Sequence, residues 1–257
     1  MTGLEFGLLV VAGVGAGLTG SIAGLASLIS YPALLATGMP PVTANVTNTV
    51  ALVLNGVGSV SASRPELRGQ GRRVLRLGTA GVLGGAAGAV LLLATPSSAF
   101  ERIVPWLIAS ASVAMLVQPP TRDLAAQGVR EQAAHPHRDP WWLPGVIFLV
   151  AVYGGYFGAA AGVLMLATFL LTTGEGVPRG NALKNVVLGI ANLVAAVGYA
   201  LFTDVAWAAA LPLAIGFFVG GRLGPGVVRR VPQTALRRVI AVAGLLLAVR
   251  LGVDAYG

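Results

Sequence analysis

The sequence has no cysteine, a single lysine, and no carboxylate inside any of its apolar stretches. Without cysteine there can be no disulfide, thiolate metal site or thiol relay. Glu5, Glu66, Glu101, Asp123, Glu131, Asp139, Glu175, Asp204 and Asp254 all fall at the ends of apolar blocks or between them. That leaves no obvious cation site and no carboxylate proton relay within the hydrocarbon. Charge of either sign is scarce, at 10% of residues against 56% hydrophobic, where a soluble domain carries about 25% charged residues to solvate its surface. This composition describes an integral membrane protein. Neither histidine lies in an apolar block, so a serine nucleophile would have no base and intramembrane catalysis is not expected. His135-Pro136-His137 is read as an accident of a polar, Pro-rich linker rather than a metal pair, and no metal or cofactor is expected. Met1 to Glu5 run straight into an apolar stretch without a basic n-region, so a cleaved signal peptide is not expected either.

The net charge of +8 could suggest nucleic acid. The arginines cluster between apolar blocks, however, and the positive-inside rule accounts for them without a nucleic-acid partner. The partner implied by the composition is the lipid bilayer.

A duplication organises the chain. "PVTANVTNTVALVLNG" starts at Pro41 and "PRGNALKNVVLGIANL" at Pro178; at one fixed offset Asn48 matches Asn185 and Asn55 matches Asn192, while Lys184 falls opposite Thr47. Upstream, Gly17, Gly20 and Gly24 match Gly155, Gly158 and Gly162; downstream, Gly84, Gly85 and Gly88 match Gly220, Gly221 and Gly224. Each unit has four apolar blocks, roughly 4–37, 42–63, 77–95 and 101–118, then 143–173, 182–202, 206–221 and 237–253. The units thus occupy 1–118 and 141–257, joined by a polar cytoplasmic linker over 119–140. Trp141 and Trp142 follow it, at a place suited to the membrane interface.

Loop charges give relative orientation. Arg64, Arg68, Arg72, Arg73 and Arg76 lie between blocks two and three of the first unit; the equivalent loop of the second, "FTDVA", has no base. There the arginines come one loop later, at 222, 229, 230, 237 and 238. If the basic segments 64–76 and 222–236 are cytoplasmic, equivalent loops face opposite sides and the units are inverted. Inversion needs an odd number of crossings per unit. The first block of each is longer than the about 20 residues of one span and is interrupted by glycines ("GVGAGLTGSIAG", "YGGYFGAAAG"), so it is read as two comparable arms that go in and come back. The expected fold is all-α: two inverted repeats, each a glycine-broken re-entrant or double helix plus three transmembrane helices, with eight to ten membrane segments. Eight spans in parallel-oriented units are the alternative. "GAGLTG" fits the G-x-G-x-x-G dinucleotide fingerprint, but lacks the strand and the acidic residue that fingerprint requires.

The polar residues within apolar helices carry the functional reading. Asn48 and Asn55, like Asn185 and Asn192, lie seven apart on one helix face, where a buried amide must find partners. Asparagine as interhelical glue is the plain explanation. A polar patch at a repeat interface is also where inverted-repeat transporters bind substrate. Lys184 could snorkel to the interface; it is also the only lysine among 17 basic residues, and a compact ammonium suits a small oxyanion that must be released again. Candidate substrate-binding residues are Lys184, Asn181, Asn185 and Asn192 with Asn45, Thr47, Asn48 and Asn55. The glycine breaks at Gly20, Ser21, Gly24, Gly158 and Gly162 join them, where backbone amides could face an anion.

These segments resemble the sulfite exporter TauE/SafE family of bacterial and plant membrane proteins. The resemblance lies in "GAGLTGSIAGLASLISYPALLATGMPP", "TANVTNTVALVLNG" and the echo "RGNALKNVVLGIANLVAAVGY", and it covers nearly the whole chain. It implies a multi-pass protein of the bacterial cytoplasmic membrane that exports sulfite, an organosulfonate or a related sulfur oxyanion. Many relatives carry a small "A-x-G-T-S"-like run where this chain has "TANVTN", so Asn45 and Asn48 replace smaller residues. An anion channel and a non-transporting membrane scaffold stay open as alternatives, and a homodimer is compatible with the sequence.

Overall fold

Thr2 opens the first helix with a reciprocal cap: its Oγ1 accepts from the Glu5 amide at 3.2 Å, and its own amide donates to the Glu5 carboxylate at 2.7 Å, satisfying two donors that a helix start leaves free. The computed structural model describes residues 2–134, 139–227 and 233–256. Among these the chain forms twelve helices: α1 (Gly3–Ala23), α2 (Ser27–Leu35), α3 (Pro41–Ala62), α4 (Arg64–Leu67), α5 (Gly71–Leu93), α6 (Ser97–Val117), α7 (Thr121–Ala134), α8 (Leu143–Tyr156), α9 (Ala161–Thr172), α10 (Val177–Phe202), α11 (Trp207–Val227) and α12 (Gln233–Tyr256). His135, His137, Arg229 and Arg230 lie outside the described residues.

Six of these helices, α1, α5, α6, α10, α11 and α12, are long and apolar enough to cross a membrane. α3 has the length, at 22 residues, but its apolar character is broken by buried Asn45, Thr47, Asn48, Thr49, Asn55 and Ser59. Outward faces carry exposed Val11, Leu75, Leu83, Trp106, Leu201 and Leu246, an apolar surface that only lipid can cover.

Small residues let the helices approach closely. A Cβ on Gly13 would stand 3.0 Å from the Gly216 Cα, and one on Gly17 3.1 Å from the Gly220 Cα; α1 and α11 therefore step along each other in the same direction. α5 and α8 do likewise, Gly84 against Ala151 and Val152, Gly88 against Gly155 and Tyr156. The third helix of each unit also flanks the long polar helix of the other, again early residue with early and late with late. On α3 and α11, Thr47 meets Ala206 and Ser61 meets Arg222; on α5 and α10, Gly81 meets Val187 and Ala89 meets Gly198. α6 and α12 run in opposite senses, with Arg102 and Trp106 at Tyr256, and Ser112 at Gly244. Packing is thus exchanged between units, element for equivalent element.

Both glycine-rich blocks break, the first into unequal arms and the second into comparable ones. α1 continues through Gly13, Gly17 and Gly20 and ends only at Gly24 (φ 76°), whose amide donates to Gly20 O at 2.8 Å; the returning arm α2 has nine residues. The earlier glycines serve helix contact, and only Gly24 takes the left-handed conformation. In the second unit the chain leaves helix at Phe157, with Gly158 (φ 76°) and Ala160 (φ 57°) left-handed, giving arms of 14 and 12 residues. The linker also contains more structure than its polarity suggests: α7 packs Leu124 and Ala125 on Leu166 and Leu170 of α9. At the linker's end the Arg73 guanidinium forks onto Asp139 (2.8 and 2.6 Å) and reaches Glu175 at 3.0 Å, joining both units to the linker.

A candidate anion site between the helix breaks

Each break is held by the polar helix of the other unit. Asn181 Nδ2 donates to Ser21 O at 2.8 Å, and Lys184 Nζ donates to Gly20 O at 2.9 Å and Ser21 O at 3.2 Å. In the opposite half Asn45 Nδ2 donates to Tyr156 O at 2.9 Å, and from within the same unit the Tyr199 hydroxyl donates to Gly155 O. The reason is local. A helix that stops inside the membrane leaves its last carbonyls without partners, and in the absence of water another helix must satisfy them. A cation at a helix C-terminus also meets the negative end of the backbone dipole. At Gly20 and Ser21 the backbone thus presents carbonyls, already engaged, rather than the free amides the glycine pattern suggested.

Beside this exchange lies a small cavity of about 40 Å³ between α1, α2, α3, α8 and α10, space for about three waters at roughly 10–15 Å³ each. Of the candidates, Lys184, Asn185, Asn192, Asn55, Gly20, Gly24 and Gly158 line it. Lys184 is 1% exposed, and none of the ion pairs among the described residues includes it. An ammonium has three donors; two are spent on carbonyls, leaving one. Asn185 Nδ2 is buried without a partner; Asn55 turns its Nδ2 toward Gly20 and its Oδ1 toward Gly221 of α11, outside the lining. An unsatisfied buried polar atom costs about 1–3 kcal/mol, and the Asn185 amide beside the Lys184 amine is such an atom in the wall of this cavity.

The remaining candidates lie behind this wall. Asn48 accepts from Ser30 Oγ at 2.5 Å and donates to Ser27 Oγ at 3.1 Å, fixing α2 to α3. Thr47 accepts from the Ala206 amide at 3.1 Å and does not line the cavity. Asn45 and Asn181 are occupied by break carbonyls. Ser21 Oγ donates back to Leu18 O at 3.2 Å. Gly162 meets Gly24 backbone to backbone, where the two breaks touch.

A model of the sulfite exporter TauE/SafE family matches residues 9–251. The chain belongs to that family. Among curated relatives, a probable membrane transporter protein, YfcA, of Escherichia coli K12 is 26% identical over 99% of this chain and 92% of its own length. A probable membrane transporter protein of Haemophilus influenzae is 26% identical over 96% and 94%. A probable membrane transporter protein, ORF9, of a Sinorhizobium species is 30% identical over 99% and 96%. No solved structure matches.

Ten lining residues of this TauE/SafE chain were not among the candidates, Ser27, Thr49, Ser59 and Phe157 included. Ser27 opens α2 beside the cavity, and Phe157 lines it from the segment after α8. The spacing of Ser27 and Ser30, one turn apart in "SLIS", was the available signal for the first. Nothing in the sequence marks Phe157 beyond its place in a glycine-rich stretch.

Proposed function

We propose that this membrane transporter carries a small oxyanion of the sulfite or organosulfonate type through the cavity between the breaks, in the export direction. The carrying observation is Lys184: a fully buried side-chain amine with two carbonyl partners, no carboxylate partner, and a partnerless Asn185 amide beside it. A buried charge without a counter-ion is expensive, and an anion would neutralise it. The anion would take the third ammonium donor and the Asn185 N–H, near the positive end of α2, whose Leu28 and Ile29 amides are already bonded to Leu25 O and Ala26 O. A membrane potential negative inside favours anion exit by about 2.3 kcal/mol per charge per 100 mV, so export needs no coupled cation.

The inverted arrangement supports alternating access at this site. What favours it is the pattern of contacts: α1 and α3 run with α11, α5 and α10 run with α8 or with each other, and the equivalent helices α6 and α12 run in opposite senses. With the arginines of 64–76 on the cytoplasmic side, α1 starts outside and α8 starts inside, in the bacterial cytoplasmic membrane.

The test is flux into proteoliposomes of sulfite, thiosulfate, sulfoacetate and sulfate, for wild type, Lys184→Gln and Asn185→Leu. Loss of most oxyanion flux in both variants, with monodisperse protein, is expected. Because Lys184 also holds α1, Asn185→Leu, whose side chain holds nothing, is the cleaner arm. Wild-type flux in both variants would sink the site assignment, and no flux of any oxyanion by the wild type would sink the function.

A further inference from the structure

A second cavity, of about 470 Å³, opens where the end of α2, the starts of α3 and α6, and the end of α12 meet. Tyr31, Leu35, Glu101, Arg250 and Asp254 are among its lining residues. It lies at the α3 start, hence on the membrane face opposite the 64–76 arginines. Between it and the cavity at Lys184 stand two aromatic rings. Tyr31 faces the large cavity and Phe157 the small one; they pack edge-to-face, centroids 5.3 Å apart and planes at 86°. Phe100 flanks them, 6.0 Å from Phe157 and 5.8 Å from Tyr156.

Aromatic clusters are ordinarily core, and this one does fill space. Three features go beyond packing. The Tyr31 hydroxyl is buried without a hydrogen-bond partner, at a position where a phenol normally finds one. Phe157 is carried by the non-helical segment between α8 and α9, flanked by left-handed Gly158 and Ala160; a left-handed alanine is a strained conformer of the kind found at moving parts. Tyr31 sits on a nine-residue helix directly before Pro32, where the proline removes one helix hydrogen bond. Both rings therefore ride on backbone whose helical hydrogen bonding is interrupted.

We propose that Tyr31 and Phe157 form the outer gate of the transport path, a septum two rings thick, and that the cavity beyond it is the vestibule through which the oxyanion leaves. This rests on the reading of the Lys184 cavity as the substrate site. When the Phe157 segment swings, the Tyr31 hydroxyl becomes a donor facing the departing anion, and Arg250, which shares the vestibule wall with Glu101 and Asp254, is the positive charge it meets there.

The protein has no cysteine, so Thr49→Cys, which lines the small cavity, gives a single reporter. A small anionic methanethiosulfonate is added to intact cells and its rate of attachment followed in the parent, Phe157→Ala, Phe157→Leu and Tyr31→Phe. If the septum is closed most of the time, reactivity follows the open fraction, and trimming Phe157 raises it by on the order of tenfold. Tyr31→Phe keeps both rings and leaves labelling at the parent rate while slowing oxyanion flux. Parent-like labelling in Phe157→Leu, or in Phe157→Ala where it folds, overturns the gate, as does fast labelling in Tyr31→Phe. The two readings fail separately: labelling that rises while flux ignores Asn185→Leu leaves the gate and removes the site. Flux that depends on Asn185 with labelling unchanged in both Phe157 variants does the opposite.

Discussion

The point where the two breaks touch gives a quantitative test, because its two costs can be separated by substitution. A Cβ on Gly24 would lie 2.5 Å from the Gly162 Cα, and Gly24 is also left-handed at φ 76°. Gly38 has the same conformation, φ 81°, with nothing within 4 Å of a new Cβ. Gly162 has the steric clash, 2.5 Å to the Gly24 Cα, in an ordinary helical conformation. Gly38→Ala therefore carries only the left-handed penalty, about 1–2 kcal/mol. Gly162→Ala carries only overpacking, about 1–3 kcal/mol, less the about 1 kcal/mol that alanine gains over glycine inside a helix. Gly24→Ala carries both penalties, about 2–5 kcal/mol. At roughly 2–4 °C per kcal/mol for a chain approaching this size, Gly24→Ala should melt roughly 2–12 °C below Gly38→Ala in a thermal scan in detergent. Equal melting temperatures for Gly24→Ala and Gly38→Ala would show that the breaks do not press on each other, and would remove the basis for treating them as one unit.

Asn48→Leu leaves the Ser27 hydroxyl without its donor and should cost about 1–3 kcal/mol; adding Ser27→Ala in that background should cost less than it does alone, read by the same scan. The Arg73–Asp139 fork is about four-fifths buried on the arginine side, and a double-mutant cycle should give a coupling of about 1–2 kcal/mol, above the about 0–1 kcal/mol of exposed pairs. Additivity within error would refute the fork. A cysteine at 204 should react with an impermeant maleimide from outside whole cells and one at 68 only after lysis; the reverse, or both on one side, would refute the inverted topology.

Much of this architecture was legible because the bilayer makes demands that sequence cannot hide. Apolar blocks, arginine loops and the Asn48–Asn185 and Asn55–Asn192 correspondences are local patterns, and they located the helices and the polar faces. What the sequence could not reveal were pairings between distant segments. Lys184 is adjacent in sequence to Asn185, yet its partners are the carbonyls of Gly20 and Ser21, and no periodicity encodes that. The break at Gly24 rather than Gly20 depends on α11 and α3 occupying the earlier glycines. Thr47, the uncharged counterpart of Lys184, is taken by the Ala206 amide, so equivalent positions hold different work in the two halves. α7 looked like tether because its composition is polar; Leu124 and Ala125, with Gly128 against the Leu170 backbone, dock it on α9.

The exchanged packing has a consequence for how the protein is made. α1 emerges first, but the face carrying Gly13 and Gly17 is completed only by Gly216 and Gly220 of α11, near the far end of the chain. α5, similarly, waits for α8. Until then each half exposes glycine-lined grooves to lipid, with Asn45 and Asn181 lacking the carbonyls that satisfy them. Neither half is a finished module at the moment it leaves the ribosome, and assembly is a late event that commits both halves together. Separate genes for 1–134 and 139–257 should therefore yield stable protein only when expressed in the same cell.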